Sequence, residues 1–468
     1  MTPQPAARRR SDVGVVWFRR DLRVADNPAL VEAIEAHKRV VPLFVWDPVL
    51  VSRAGAPRLA FLHGCLKDLA RSFGGELVIR SGDPVDVVPR LADEFDAERI
   101  WCAEDFGPYG SSRDLAVSDA LASHDRLLCR VGSAYAVSPG ELLTGHHQPY
   151  RVFTPFSKAW SASGWDSPLN EPGTNGSIMA GATSDPLPRP PSMGASLPRP
   201  GEAAARGRLE QFVEDSIEHY DDQRDRPDLE GTSRLSPYLK FGCLHPRQVL
   251  AQLDLINPAH RRFQTELCWR EFYADVLHHR PDSARAAYRR EWHAFPTDSG
   301  NEAKARFETW ANGQTGYPIV DAGMRQLLGE GWMHNRVRMI VASFLVKDLH
   351  IDWRAGARWF MQHLVDGDIA SNQHGWQWVA GTGTDAAPYF RVFNPVAQGK
   401  RFDPHGTYVR RWVPELAGMA DDTIHEPWKA ASSLLVPEPA YPPPIVDHAA
   451  EREEALARYG ALRAASRV

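Results

Sequence analysis

The sequence predicts an α/β domain with a doubly wound parallel sheet at the N-terminus, followed by an all-α domain. Over residues 11–135, short apolar runs alternate with helical segments, which is typical of a parallel sheet covered by helices. From Glu202 onward, strong helix formers dominate the sequence. The predicted units are a disordered tail (1–10), the α/β domain (11–135), an inter-domain linker (136–201) and the helical domain (202–468).

The α/β domain is predicted to be Rossmann-like, with five buried strands at residues 13–18, 40–46, 77–79, 100–103 and 127–131. Helices are predicted between them at residues 28–36, 58–73, 85–95 and 113–123. No G-x-G-x-x-G follows the first strand, where the sequence reads RRDLR instead, so an ordinary dinucleotide site is disfavoured. Ligands of such sheets bind at the carboxyl ends of the strands. That is where this loop and residues 104–109 are expected.

Proline, glycine and serine dominate residues 161–201. Repeated prolines cannot enter the interior of helices or sheets, so this part of the linker is predicted to be extended. A second proline-rich coil is expected after about residue 430, followed by a charged helix over residues 446–465.

Composition narrows the class of protein. The chain has 468 residues, 43% hydrophobic and 24% charged, which are ordinary globular values. Its 15 tryptophans indicate stacking surfaces or redox-active side chains, with large interfaces as the alternative. The net charge of −5 means that nucleic-acid binding would need a local basic groove. The five cysteines form no CxxC pair, which favours a reducing cytoplasm and no metal site. Neither a membrane span nor a secretory signal is predicted.

Residues 331–395 carry an unusual set of polar groups on a helical framework. Val337, Ile340, Val341, Phe344 and Leu345 follow the spacing of a helix that buries one face. A buried Arg needs a carboxylate or an anionic ligand. The groups that would form an aromatic, Asp/Arg/Asn-lined cofactor cavity are Asn335, Arg338, Asp366, Asp368, Asn372, Trp376 and Trp378. The last two are turned by about 200° from each other and would face opposite ways.

Two other patterns are less specific. Ser236 followed by Pro237 predicts a helix start with Ser236 as N-cap, and a helix N-terminus can bind a pyrophosphate. Glu266, Trp269 and Arg270 share one helix face. They could hydrogen-bond and stack on a base, or equally be a surface ion pair beside a half-buried indole.

The motifs GWMHNRVRM, IDWR, DGD, GWQW and TGTDAAPYFR resemble the C-terminal half of class I cyclobutane pyrimidine dimer photolyases, in the photolyase/cryptochrome family. The resemblance continues more thinly over nearly the whole chain. It implies that the all-α domain binds FAD, held as FADH⁻, and that light drives an electron from it to a flipped-out dimer in UV-damaged DNA. WFRRDLR and DNPAL resemble the family's N-terminal domain, which holds a light-harvesting antenna chromophore.

The resemblance assigns site residues by position. Those for FAD are Tyr220, Thr232, Ser233, Arg234, Leu235, Ser236, Asn335, Arg338, Asp366, Asp368 and Asn372. Those for the dimer and the DNA are Arg224, Glu266, Trp269, Arg270, Asn335, Arg336, Met339, Trp378, Arg391, Lys400 and Arg401. Glu266 would hydrogen-bond the dimer, and Asn372 would face flavin N5. Arg338 would supply positive charge beside the anionic flavin, and Asp366 would pair with that Arg.

Asp105 and Lys240 resemble the contacts of members that use 8-hydroxy-5-deazaflavin as antenna. Methenyltetrahydrofolate and the absence of an antenna are the alternatives. Trp376 and Trp353 match the first two members of the family's tryptophan relay, but Gly300 occupies the position of the third. Trp292 or Tyr288 are candidate replacements, and repair itself does not use the relay.

The sequence therefore favours a monomeric repair enzyme without an obligate protein partner. One alternative is a cryptochrome-like photoreceptor, for which a long C-terminal extension is expected, whereas the chain ends soon after the helical segments. A second is a (6-4) photolyase, which would have a histidine pair at His334–Asn335. A third is a light-independent FAD enzyme, for which no nicotinamide motif is present.

Overall fold

The structure, a computed structural model, describes residues 12–385, 391–430 and 441–465. The predicted tail and the residues 386–390 of the TGTDAAPYFR motif lie outside the described residues. Within the described part of the chain, no helix is long and apolar enough to cross a membrane.

The N-terminal sheet has five strands, all parallel, in the order β3-β2-β1-β4-β5. They are β1 (Val13–Phe18), β2 (Arg39–Trp46), β3 (Val78–Ser81), β4 (Arg99–Glu104) and β5 (Leu127–Ser133). The chain runs outward from β1 in one direction and resumes at β4 on the other side. The doubly wound prediction is confirmed, and the crevice at the carboxyl ends of β1 and β4 is the place where such sheets bind ligands.

Helices cover both faces of the sheet: α1 (Pro28–Ala36), α2 (Pro48–Arg53), α3 (Ala56–Ser72), α4 (Pro84–Glu94) and α5 (Pro108–Ala122). Each has proline in its first two positions, where the missing N–H carries no penalty. The six-residue helix α2 was not predicted, because it is too short to show a periodic apolar face.

The segment between the domains holds one helix that was not predicted, α6 (Phe153–Ser163). Its Phe153, Phe156 and Trp160 are buried. The proline-rich stretch that follows runs along the sheet: the Met179 N–H donates to the Val40 carbonyl at 2.9 Å, and the Asp185 N–H to the Ile79 carbonyl at 2.9 Å. It thereby covers the edge at β3, which would otherwise expose unpaired backbone groups.

The remaining helices are α7 (Glu202–Asp215), α8 (Tyr220–Gln223), α9 (Ser236–Phe241), α10 (Pro246–Leu250), α11 (Pro258–His279), α12 (Gly300–Ala311), α13 (Pro318–Glu330), α14 (Asn335–Lys347), α15 (Trp353–His363), α16 (Ile369–Ala380), α17 (Pro395–Phe402), α18 (Thr407–Trp412), α19 (Pro427–Ala430) and α20 (His448–Ala465). Short 3₁₀ turns lie at Ile217–His219, Pro281–Ala284, Arg290–Ala294 and Pro414–Leu416. The all-α prediction is confirmed.

The two largest apolar cores among the described residues lie in different parts of the chain. One joins the sheet to α7, α9 and α11, with Phe18 and Phe212 in the same cluster. The other lies among α12 to α16 and contains all five residues of the predicted α14 face. Because the first core is continuous across both domains, the crevice between them has fixed walls.

Candidate functional site

Asp366 joins three elements of the helical domain. Its Oδ2 accepts a hydrogen bond from Arg338 Nη2 at 2.8 Å and another from the Ser236 hydroxyl at 2.6 Å, so the predicted Arg338–Asp366 pair is present. Its Oδ1 is buried and has no hydrogen-bond partner among the described residues. An unpartnered buried carboxylate oxygen is costly. It therefore fits a ligand that brings an N–H or O–H donor, as the ring and ribityl chain of a flavin do.

The start of α9 differs from the prediction by one residue. The helix begins at Ser236, and Leu235 takes the N-cap position without a side-chain hydrogen bond. The prediction that Ser236 caps the helix was wrong, because its hydroxyl donates to Asp366 instead. The loop before it is fixed by Arg208, which donates to the Thr232 and Ser233 carbonyls at 2.9 and 2.8 Å.

Arg234 has a left-handed backbone with φ of +51°, which is uncommon outside glycine. Its guanidinium lies 3.3 Å from Glu330 Oε2 and 4.4 Å from the centroid of the Trp332 ring. The Trp332 indole N–H in turn donates to the Ser236 hydroxyl at 3.3 Å. The predicted phosphate loop, residues 232–236, and the Asp366 cluster are therefore contiguous.

A second charged cluster lies where the dimer and DNA contacts were predicted. Arg224 donates to Glu266, and Arg336 holds Asp225 through two hydrogen bonds of 2.7 and 3.2 Å. Arg224 Nε lies 3.7 Å from Asp225, so the two pairs form one network. Burial acts to raise the pKa of Asp225, but the hydrogen bonds and charge of Arg336 outweigh it and hold that pKa below its usual value. Sequence reasoning missed Asp225, although it adjoins Arg224.

Phe402 supports the basic rim of this cluster. The guanidinium groups of Arg336 and Arg401 lie 4.6 and 5.0 Å from the centroid of its ring. Lys400, one residue before Arg401, is paired with Glu426 instead. Arg391 is exposed, and its carbonyl accepts a hydrogen bond from Lys347.

Trp269 forms an aromatic wall beside Glu266 on α11. Its ring is stacked on Phe153 at a centroid distance of 3.6 Å and an interplanar angle of 5°. Phe153 belongs to the unpredicted helix α6, so sequence reasoning missed the residue that fixes this indole. The spacing of Phe153, Phe156 and Trp160 was the signal that could have found it.

The structure does not bring Arg270 to this cluster. Its guanidinium donates to the Ala134 and Leu239 carbonyls at 3.0 and 3.2 Å and lies 4.8 Å from the Tyr135 ring centroid. The expectation of a DNA contact stays a prediction for Arg270. Although Glu266 and Arg270 share a helix face, two carbonyls of neighbouring elements accept hydrogen bonds from the Arg270 guanidinium.

A third charged cluster lies between the domains. Arg20 donates to Asp368 Oδ2 at 2.7 Å, while Asp368 Oδ1 accepts the N–H groups of Ala370 and Ser371 and caps α16. Burial opposes the charge on Asp368, but Arg20, Lys240 and Arg270 together hold its pKa well below its usual value. Burial and the charge of Arg20 lower the pKa of Lys240 to about 7.

Next to this cluster, a small cavity opens at the carboxyl ends of the strands. It is lined by Arg19, Arg20, Ala103, Glu104, Asp105, Phe106, Ala134 and Tyr135. Asp105 Oδ1 accepts the Gly107 N–H at 3.0 Å, and its Oδ2 accepts from Arg113 at 3.3 Å. Burial opposes ionisation of Asp105, yet Arg20, Arg113 and Arg19 lower its pKa. The predicted ligand position at this edge of the sheet coincides with a cavity whose wall carries two arginines and two carboxylates.

Helix α16 carries the remaining predicted cofactor contacts. Asn372 Nδ2 donates to the Ala357 carbonyl at 3.1 Å and to Gln373 at 2.9 Å. Trp376 is buried, and its indole N–H has no partner among the described residues. Trp378 is only half-buried and packs against the second core, which contains Trp376; that the two rings face opposite ways stays a prediction.

The other predicted residues are distributed around these clusters. Tyr220 is buried against Phe212 and Phe263. Asn335 is the exposed first residue of α14, and Met339 is half-buried against the second core. Trp353 is buried at the start of α15.

Two family models match the chain. The model described as DNA photolyase matches residues 14–173, and the one described as the FAD binding domain of DNA photolyase matches residues 263–461. The chain belongs to the DNA photolyase family.

Its relatives carry a more particular name. The deoxyribodipyrimidine photo-lyase of a Synechococcus strain is 41% identical over 477 residues, with 96% of each chain covered. That of Streptomyces griseus is 43% identical, with 96% of this chain and 99% of the relative covered.

Solved structures agree with this assignment. A bacterial class III photolyase from Agrobacterium tumefaciens superposes with a TM-score of 0.88 at 37% identity, covering 98% of this chain and 99% of that one. A Synechocystis cryptochrome superposes with a TM-score of 0.86 at 28% identity, covering 96% of this chain and 100% of that one. A photolyase and a cryptochrome thus share their whole fold with this chain.

Proposed function

We propose that this chain is a deoxyribodipyrimidine photo-lyase of class I, a light-dependent enzyme that splits cyclobutane pyrimidine dimers in DNA. The observation that carries the proposal is the position of α14 between two clusters. Arg338 is turned to Asp366, and Arg336, about 200° away around the helix, is turned to Asp225. One helix thus borders both the pocket for the cofactor and the pocket for the damaged base.

The residues of the first pocket hold and tune FAD. The cofactor supplies the light-driven electron. Arg338 provides positive charge beside its anionic reduced form, and Asp366 keeps that guanidinium in place with a hydrogen bond of 2.8 Å. Asn372 presents an amide, which can hydrogen-bond the ring without acting as an acid. The loop 232–236 and Tyr220 hold the rest of the molecule.

The second pocket receives the dimer after it has left the base stack. A dimer stacks poorly and is therefore cheaper to extrude than a normal pair. Trp269 and Trp378 offer aromatic surfaces to it, Met339 fills the space between them, and Asn335 provides a polar contact. Glu266 exchanges its Arg224 partner for the dimer, whose ring N–H its carboxylate can accept, and thereby fixes the position of the dimer.

The basic rim binds the phosphates around the lesion. Arg224, Arg336, Arg391, Lys400 and Arg401 are the cations of this rim. Phosphate contacts position a protein on DNA and carry no sequence information, which suits an enzyme that must find a lesion in any sequence.

The cavity at the sheet edge holds a second, light-harvesting chromophore, for which 8-hydroxy-5-deazaflavin is our candidate. Arg19 and Arg20 line the cavity and can offer their charge to an anionic ring system, with Lys240 close to Arg20. Methenyltetrahydrofolate is the alternative. The archaeal photolyase from Sulfolobus tokodaii, 31% identical with a TM-score of 0.83, has been solved with two FAD molecules. The enzyme acts as a cytoplasmic monomer without an obligate protein partner.

Repair of UV-irradiated oligothymidine tests the function. The holoenzyme, with its flavin chemically reduced, should restore the ultraviolet absorbance of the bases under blue light and leave it unchanged in the dark. An oligonucleotide carrying only (6-4) photoproducts should remain unrepaired. Failure on the first substrate with success on the second would assign the chain to (6-4) repair. Failure on both would leave a photoreceptor role as the better explanation.

A further inference from the structure

A row of aromatic side chains connects the buried Trp376 to the protein surface. Trp376 contacts Trp310 edge-to-face, with ring centroids 6.2 Å apart. Phe307 then contacts Trp310 at 5.5 Å and Trp359 at 5.9 Å. Trp310 is completely buried, whereas Trp359 is half-buried on α15. The row therefore begins beside the cofactor pocket and ends where solvent reaches an indole.

We propose that Trp376, Trp310 and Trp359 form an electron path from solvent to the flavin, with Phe307 as the bridge between the last two indoles. The inference rests on the proposed function, because it places the flavin beside Asn372 and Trp376. Indoles are oxidised far more easily than phenyl rings, and electron transfer between side chains slows steeply with separation. Indoles linked by touching rings are thus suitable stepping stones.

Local contacts favour this direction of transfer. The Trp310 N–H donates to the Val341 carbonyl at 3.0 Å, and a hydrogen bond to a carbonyl stabilises a positively charged indole more than a neutral one. Phe360 adds contacts to Trp376 at 4.9 Å and Trp310 at 6.4 Å. Hence the buried part of the path is held in one geometry by packing.

The path through Trp353 is less continuous. In the part of the chain that the structure describes, no other aromatic ring is paired with the Trp353 ring. Position 300 is an exposed glycine with φ of +86°. Trp292, a candidate replacement, stacks on Tyr459 at 5.6 Å. Helix α15 approaches Trp376 through Gly356, where an added Cβ would lie 2.1 Å from Trp376 Cη2. This close approach brings Trp359, one turn further along α15, within reach of the same aromatic row.

The electron balance is simple. Trp376 loses one electron to the light-excited flavin, Trp310 refills Trp376, and Trp359 refills Trp310. A small thiol in solution then reduces Trp359 and releases its proton to water. The thiyl radicals left by two such oxidations combine to a disulfide, so two electrons reach the flavin for each disulfide formed.

The test compares Trp359→Phe, Trp353→Phe and, as a matched control, Trp412→Phe in flavin-loaded protein without DNA. Trp412 is half-buried like Trp359 but lies outside the aromatic row. Two readouts are followed: the rate at which blue light and a thiol reduce oxidised flavin, and the flash-induced absorbance of oxidised tryptophan. Bound flavin and melting temperature are measured for every variant.

We expect Trp359→Phe to lose most of the flavin reduction and to shorten the life of the oxidised-tryptophan signal, because the electron hole stays near the flavin and recombines. Trp412→Phe should match the wild type. Slower flavin reduction in Trp359→Phe supports the path. This holds whether or not Trp353→Phe also reduces flavin more slowly, since electrons can reach Trp376 by two separate routes. Wild-type rate and signal lifetime in Trp359→Phe would overturn it. Repair by chemically reduced enzyme is assayed separately, so failure of the path and failure of the repair function give different results.

Discussion

Arg20, in the α/β domain, donates a hydrogen bond of 2.7 Å to Asp368 in the helical domain. Asp368 is the N-cap residue of α16. The same carboxylate caps α16 through two backbone N–H groups. Because α16 also carries Asn372 and Trp376, one ion pair ties the position of the cofactor-facing helix to the neighbouring domain. Arg20, which also lines the cavity at the sheet edge, thus links that cavity to α16.

Replacing Arg20 by Met should destabilise the protein by about 3 kcal/mol near neutral pH, since it leaves a largely buried carboxylate without its partner. The pKa of Asp368 is depressed in the folded state, so its stabilising contribution is present above the unfolded pKa of about 4 and is lost as the pH falls through the lower folded value. Urea unfolding at several pH values should show the difference between wild type and R20M shrinking in acid. Arg71→Met, which breaks an exposed pair with Asp68, should have little effect; an equal loss there would contradict this explanation.

Lys240 gives the opposite pH dependence. Its folded pKa of about 7 lies below the unfolded value, so the unfolded chain binds more protons between about pH 7 and pH 10 and stability rises with pH across that range. Lys240→Met should be more stable than wild type at neutral pH, and the gain should shrink toward pH 10. The stability difference is measured by chemical unfolding of protein without a bound antenna chromophore, because an anionic ligand would favour the charged form of Lys240. Lys38→Met, at an exposed site, is the control and should show no such trend.

Phe153 should prove important for both stability and substrate binding. Phe153→Ala removes a buried ring stacked on Trp269 and should cost about 3–5 kcal/mol. Phe153→Leu retains most of the volume but loses the stack, and should cost about 1 kcal/mol. Both variants should bind UV-irradiated oligothymidine more weakly in a gel-shift titration. Unchanged affinity in a folded F153L protein would show that Trp269 does not need this support.

Glu266→Gln should lower the yield of repair several-fold while leaving the bound FAD and the melting temperature close to wild type. A hydrogen bond to a charged group contributes about 1.5–3 kcal/mol, and the neutral amide oxygen of Gln is a weaker acceptor for the N–H of the dimer than the carboxylate of Glu266. The yield is measured with reduced enzyme under single-turnover light. Glu302→Gln, an exposed site in the first turn of α12, serves as the control. A wild-type yield in E266Q would remove Glu266 from the site.

Arg401 and Lys400 provide a matched pair for the basic rim. Lys400 is paired with Glu426, whereas Arg401 lies over Phe402 and forms no ion pair with the described residues. Arg401→Ala should lower the slope of log affinity against log salt by about 0.9, the value expected for one phosphate contact. Lys400→Ala should change it less. Equal slopes for R401A and wild type would place Arg401 outside the DNA contact.

Much of the fold was predictable from the amino-acid sequence alone. Strand β1 and helix α1 have the predicted limits, and the buried face of α14 was identified residue by residue. These features depend on the period of apolar residues, which is a local property of the sequence. The Arg338–Asp366 pair was predictable as well, since a buried Arg requires an acidic partner.

Partners from distant segments were not predictable. Glu266 and Arg270 share a helix face, but Arg224 approaches one and the Ala134 carbonyl the other. The Ser236 hydroxyl had a local role available to it as a cap and took a distant one at Asp366. Likewise, the contact of Trp376 with Trp310 joins α16 to α12. The sequence by itself determined which elements form and which residue types carry the chemistry, because spacing and composition are local. Only the tertiary structure decided what each polar group and each ring touches, because those contacts depend on how elements far apart in the chain pack together.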